Sequence, residues 1–232
     1  MDFTVSGDTA PDLVLLHGIQ GTRAGWSAIA KDLTSDFRCI LPNFEGRGKR
    51  KNNFTSAGLS LERYASELDS LVQANAQPGF VLIGWSLGVS VILEYLKQYE
   101  HEHIGGIVLV SGSPALNECR WFHHSDPAEL EAEILEREQR LQLSEAAHPA
   151  AVATLWSSIK NVNHEDVLAN IKLPCLVIHG EDDEDCPIEH GRRLGSQIPQ
   201  AKLVEVAGAG HSVLRSHPEL VSQQIREFVQ HL

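Results

Sequence analysis

The sequence predicts an α/β protein: a mostly parallel β-sheet flanked by helices, with a short helical insertion. Two observations carry this. Short apolar runs closed by Gly, Pro or His alternate with stretches of helical periodicity, the pattern of βα units on a parallel sheet. The alternation breaks once, between Ser113 and about Lys172, where the chain turns polar and helical.

The elements follow in order. Leu13 to Leu16 reads as a buried strand ending in His17-Gly18. Few residues precede it, so any N-terminal β-hairpin is expected to be reduced. Phe37 to Leu41 is a second strand, stopped by Pro42. Leu61, Tyr64, Ala65, Leu68 and Val72 share one helical face, predicting a helix over Leu61 to Val72. Phe80 to Ile83 is a strand, Leu87 to Tyr99 a helix, and Ile104 to Val110 a fourth strand. Cys175 to His179 and Leu203 to Val206 complete six strands, and a closing helix starts near Pro218, a residue favoured at a first helical position. In the insertion, Glu129, Glu131, Glu133, Glu136 and Glu138 interleave with Leu130, Ile134, Leu135 and Leu141. An insertion between strands overhangs the ligand crevice at their carboxyl ends. We therefore expect an α/β core over 1–114 and 173–232 and a helical lid over 115–172, as against a surface helix pair without a role in access.

Composition narrows the function. A net charge of −12 argues against nucleic acid, which needs a surplus of Lys and Arg on one face. Two local basic patches exist, Arg47-Gly48-Lys49-Arg50-Lys51 and Arg137 with Arg140. Each alone reads as solvated charge. The longest apolar run, Ile104 to Val110, is too short to span a bilayer. Met1-Asp2-Phe3-Thr4 lacks the basic and apolar regions of a secretory signal. The four scattered cysteines (Cys39, Cys119, Cys175, Cys186) read as reduced thiols. These features lead us to expect a cytoplasmic monomer.

The chemistry is carried by four short motifs. Gly84-Trp85-Ser86-Leu87-Gly88 fits G-x-S-x-G and lies after an apolar strand and before a helix. A serine on that tight turn is lifted clear of the sheet at a helix N-terminus, where negative charge is stabilised. An acid cluster, Glu181 to Asp185, follows the fifth strand, and Gly208-Ala209-Gly210-His211 follows the sixth. Ser, then Asp, then His, each at a strand end, is one chain order of a nucleophile–base–acid triad. The candidates are Ser86 as nucleophile, His211 as general base and Asp183 as the orienting acid, with Asp182 and Asp185 as alternatives in the crowded loop. His17-Gly18-Ile19-Gln20-Gly21 stands where an oxyanion loop belongs, so the backbone N–H groups of Ile19 and Leu87 are the candidate oxyanion donors. Trp85 reads either as the wall of an apolar acyl slot or as core packing.

With HG, GxSxG, an acid loop and GH in order, the chain resembles the α/β-hydrolase fold superfamily over nearly its full length. It is most similar to small bacterial carboxylesterases such as the pimeloyl-acyl-carrier-protein methyl ester esterases, which share Gly-Trp-Ser-Leu-Gly and a helical lid. The resemblance selects Asp183 by its spacing from Gly180 and Pro187. It implies a serine esterase of biotin synthesis that needs no cofactor or metal and takes a small acyl ester, carried on an acyl carrier protein. Arg137 and Arg140, with Arg47, Lys49, Arg50 and Lys51, would then form a positive rim for an acidic carrier; scattered solubilising charge is the other reading. The sequence departs from the family at Asn43 and Lys49, where an Asp and a Ser are usual, and at Ile19-Gln20. A thioesterase and a carbon–carbon bond hydrolase would use the same triad. A non-catalytic receptor or scaffold is the reading from another class; such proteins often lose a triad member, and here all are present.

Overall fold

The computed structural model describes residues 1–55, 58–119 and 121–232. Among the described residues seven strands form one sheet: β1 (Asp2–Ser6), β2 (Asp12–Leu16), β3 (Arg38–Asn43), β4 (Phe80–Trp85), β5 (Ile104–Val110), β6 (Cys175–Gly180) and β7 (Ala201–Val206). Their order across the sheet is β1-β3-β2-β4-β5-β6-β7. Only β1 is antiparallel, running against β3 along the edge. The six expected strands are all present, each within a few residues of its predicted limits. β1 is the addition: it is short and mostly solvent-facing, so it has too few apolar residues to announce itself.

The strands are apolar on both faces because helices cover both. In β2, Leu13 and Leu15 join one buried cluster and Val14 and Leu16 the other. Each such side chain contributes about 1.5–3 kcal/mol relative to exposure. One face is covered by α1 (Ser27–Leu33) and α9 (Pro218–Val229), whose Ile29, Leu33, Val221 and Ile225 are buried there. The other is covered by α2 (Leu61–Asn75) and α3 (Leu87–Gln98). Ser60 caps α2 by accepting the Arg63 N–H at 3.3 Å.

Between β5 and β6 the chain forms α4 (Pro127–Leu141), α5 (Pro149–Ile159) and the single turn α6 (Glu165–Leu168). Asp126 caps α4, accepting from Ala128 at 3.0 Å and Glu129 at 3.2 Å. The expectation of a polar, helical insertion holds for α4 and not for α5. The charge is concentrated on α4, whereas α5 buries Ala151, Val152, Leu155, Trp156 and Ile159 and packs on α4. Apolar residues make up most of α5, so it belongs to the packed interior.

Helix α7 (Ile188–Gln197) connects β6 to β7, and the chain closes with α8 (Val213–Ser216) and α9. Because β2, β4, β5, β6 and β7 are mutually parallel, their carboxyl ends share one edge of the sheet. That edge presents His17, Ser86, the 181–186 loop and the 207–212 loop together. Among the described residues no helix is long and apolar enough to cross a membrane.

Candidate active site

Ser86 sits between β4 and α3 with φ 56° and ψ −114°, a conformation that non-glycine residues rarely adopt. Its neighbours explain how the turn closes. A Cβ on Gly84 would lie 2.5 Å from the Gly88 backbone, and one on Gly88 would lie 2.5 Å from the Leu16 carbonyl oxygen. Helix α3 can therefore press against β2 and β4 only because both positions lack side chains.

The three triad candidates are brought together. Ser86 Oγ is 2.8 Å from His211 Nε2. His211 Nδ1 is 3.0 Å from each Asp183 carboxylate oxygen. Asp183 Oδ1 also accepts the backbone N–H groups of Asp185 at 3.0 Å and Cys186 at 2.8 Å. With Nδ1–H donating to Asp183, Nε2 is left with a lone pair facing Ser86. The arrangement can pass a proton from the serine to the histidine and stabilise the imidazolium that forms. Of the alternative acids, Asp182 is not within bonding distance of His211. Asp185 Oδ2 lies 3.7 Å from Nε2 but is engaged elsewhere.

Its partner is Arg137, from α4. The guanidinium binds both Asp185 oxygens, with one contact at 2.8 Å, and also donates to the Trp121 carbonyl at 3.3 Å. Burial pushes the Asp185 carboxyl up, but the Arg137 hydrogen bonds and the nearby His211 and Arg137 charges outweigh it, so the carboxyl is held below its usual range. Arg137 and Arg140 do line one cavity, as their spacing predicts. They do not make a positive rim. Arg137 is buried and paired, and Glu129, Glu133, Glu136 and Glu184 line the same cavity. Arg47 is also withdrawn: it is fully buried and donates to the carbonyls of Ile19 and Glu45 and to the Tyr64 hydroxyl. Arg50 pairs with Glu67 at 2.7 Å. Sequence spacing does not separate buried from exposed arginine, because most partners of these guanidinium groups lie far away along the chain.

The loop after β2 is held from behind by these same contacts. Arg47 grips the Ile19 carbonyl, and His17 Nδ1–H donates to the Gly18 carbonyl at 2.9 Å while Nε2 accepts the Phe44 N–H at 3.3 Å. Burial and the Arg47 charge push His17 down to about 3, so it is neutral at pH 7 and keeps that donor–acceptor pattern. Leu87 opens α3, so its N–H belongs to the first turn, whose donors have no intrahelical partner. Ile19 and Ser86 line one chamber, over which these amides can meet a developing oxyanion. Trp85 underlies the loop: its Nε1–H donates to the His211 carbonyl at 3.1 Å, and a Cβ on Gly18 would lie 2.9 Å from its ring. It both packs and lines the chamber. Asn43, at the unusual position, is buried; its amide donates to Asp2 and its oxygen accepts the Arg23 N–H at 2.8 Å. Among the described residues no group of three His, Cys, Asp or Glu side chains is arranged to hold a metal ion.

Sheet order, elbow and Ser–His–Asp geometry together define a fold class, and comparison with known proteins agrees. Residues 13–224 match the model of the alpha/beta hydrolase family, so the chain belongs to that family. Among its relatives is the pimeloyl-[acyl-carrier protein] methyl ester esterase of Yersinia enterocolitica, 29% identical, with 98% of this chain and 96% of the relative covered. The protein of the same name from Aromatoleum aromaticum is 26% identical, covering 94% of this chain and 98% of its own length. An esterase from Exiguobacterium antarcticum superposes with a TM-score of 0.84 at 18% identity, covering 98% of this chain and 94% of that one.

Proposed function

We propose that this chain is a serine esterase that hydrolyses the methyl ester of an acyl group borne by an acyl carrier protein, in biotin synthesis. One observation carries the esterase reading: the Ser86–His211–Asp183 relay, with contacts of 2.8 and 3.0 Å and the strained serine at a helix N-terminus. The substrate assignment rests on the curated relatives, whose names specify a pimeloyl carrier methyl ester.

The reaction is an acyl transfer to water. His211 Nε2 takes the Ser86 proton as Oγ attacks the ester carbonyl. The Ile19 and Leu87 amides bind the oxyanion, and Asp183 holds His211 in the useful tautomer. The intermediate collapses, and the leaving methoxide takes the proton from His211 as methanol. Water then attacks the acyl-serine with His211 again as base, releasing the acid and restoring Ser86. In this reading residues 115–172 form a lid over Ser86, and the enzyme works as a monomer in the cytoplasm.

The test pairs a pimeloyl-carrier methyl ester with wild-type protein and Ser86→Ala. Wild type is expected to release methanol and leave the carrier thioester intact; Ser86→Ala is expected to lose turnover on the order of a millionfold. Release of the free carrier thiol in place of methanol would make the protein a thioesterase, and near-normal turnover by Ser86→Ala would end the serine reading altogether.

A further inference from the structure

The chamber around Ser86 measures about 20 Å³, room for roughly one water molecule and no ester. Any ester held at Ser86 must therefore extend into an adjoining space. Two spaces among the described residues share lining residues with the chamber. One, of about 920 Å³, lies beyond Arg137 and Trp121 and is lined by carboxylates of α4 and of the 183–185 loop. To reach it, an aliphatic chain would have to part the buried Arg137–Asp185 pair and lie among charges. The other, of about 420 Å³, shares Gly21, Trp85, Leu141, Leu143 and Ser212 with the Ser86 chamber. Its size is that of a small-molecule site; Ala24, Ala28, Leu141, Leu143 and Leu214 line it, together with Glu145, which accepts from the Thr22 hydroxyl at 3.1 Å, and Arg215, whose guanidinium donates to the Leu141 carbonyl.

The partition between chamber and cavity is narrow. Leu141 ends α4 and Leu143 follows two residues on, both half-buried. Between them Gln142 is exposed and left-handed, with φ 49°. The two leucines thus reach inward from either side of a turn that itself faces solvent. Arg215 of α8 ties down the Leu141 carbonyl at 2.9 Å, so the partition is anchored at its helix end.

We propose that the 420 Å³ cavity is the acyl-chain subsite, taking an unbranched aliphatic acyl chain, with Leu141 and Leu143 as the partition that the chain displaces. This rests on the esterase reading above. In a methyl ester the alcohol is one carbon, so the long part of the substrate lies on the acyl side, and that part needs the apolar space.

The test is a chain-length series read as kcat/KM on p-nitrophenyl acetate, butyrate, hexanoate and octanoate. In wild type each methylene entering the cavity is expected to raise kcat/KM by about fourfold. Gly25 lies in the cavity wall with ordinary backbone angles, and a Cβ there would lie 3.7 Å from the Trp85 ring, so G25L fills the space at an exposed position. It is expected to lower the octanoate-to-acetate ratio at least tenfold. Leu143→Ala, which thins the partition, is expected to move the ratio the opposite way. An unchanged ratio in both variants overturns the subsite. So does a response confined to a series of alkyl acetates, where the chain sits on the alcohol. A fluorophosphonate probe separates the two levels of the claim. Labelled Ser86 with a flat acyl profile removes the subsite alone, and absence of labelling removes the esterase reading with it.

Discussion

Replacing Asp183 by asparagine isolates the role of one proton. Asp183 Oδ1 accepts two backbone N–H groups, from Asp185 and Cys186, at 3.0 and 2.8 Å. In Asp183→Asn the amide oxygen must take that place, because an NH₂ group there would face two donors. The NH₂ then occupies the Oδ2 position, 3.0 Å from His211 Nδ1. The amide oxygen, also 3.0 Å from Nδ1, has both lone pairs taken by those two N–H groups, and the NH₂ can only donate, so Nδ1 becomes the acceptor and the imidazole proton moves to Nε2. There it faces Ser86 Oγ, 2.8 Å away, and the histidine can no longer take the serine proton. The same NH₂ meets the buried ring of His179, whose Nε2 lies 3.4 Å from Oδ2 and donates to the Cys186 carbonyl at 2.7 Å. A triad locked in the wrong tautomer loses about 10⁴ in rate, or about 5.5 kcal/mol of transition-state stabilisation. The assay is kcat/KM on p-nitrophenyl acetate at pH 7–8, with Asp182→Asn and Asp185→Asn alongside. The expected outcome is a loss near 10⁴ for Asp183→Asn alone, with its thermal stability close to wild type. Activity within tenfold of wild type, or an equal loss in Asp185→Asn, would refute the tautomer argument.

Other outcomes follow from the same contacts. Arg47→Met removes the grip on the Ile19 carbonyl, and kcat is expected to fall about tenfold, part of the 10²–10³ that an oxyanion donor supplies, with KM little changed. Steady-state kinetics on a short ester checks this. Burial raises the Asp2 carboxyl, but hydrogen bonds from Arg23, Asn43 and the Lys49 N–H outweigh it and hold it at about 2. Its folded value lies below its unfolded one, so its contribution is present above about pH 4 and is lost as pH falls toward 2. Asp2→Asn is therefore expected to cost about 2 kcal/mol at pH 7, roughly 4–8 °C in Tm, with the difference closing in acid. Melting curves between pH 7 and 2 read it. Amides of α4 should exchange with solvent faster than those of β4, and those of apolar α5 should be slower than α4. Hydrogen exchange resolved by segment decides this, and equal protection in α4 and β4 would make α4 a fixed wall.

How much of this was legible in the sequence varied with the kind of interaction. Strands buried on both faces announce themselves as apolar runs, so β2, β4, β5 and β6 were plain. Ser86 and His211 stood out for a different reason, their strand ends, glycine flanks and chain order, whereas the acid was left among Asp182, Asp183 and Asp185 and only the family resemblance selected Asp183. Helix α7 was hidden because Gly191 and Gly195 weaken its helical pattern. The structure gives their reason. A Cβ on Gly191 would lie 2.7 Å from His179, and one on Gly195 would lie 3.0 Å from Leu203, so glycine lets the helix lie close on β6 and β7. The arginines were misread on a physical point. Apart from the Glu45 carbonyl, the partners of Arg47 and Arg137 lie 16 or more residues away along the chain, at Tyr64, Ile19, Trp121 and Asp185, and no local pattern encodes them.

The central claim is that Ser86 is an activated nucleophile. Mass spectrometry of the intact protein after brief treatment with a fluorophosphonate, followed by mapping of the modified peptide, tests it most directly. The account predicts a single adduct on Ser86, absent from Ser86→Ala and formed far more slowly in His211→Ala. No adduct, or an adduct on another residue that persists in Ser86→Ala, would contradict it.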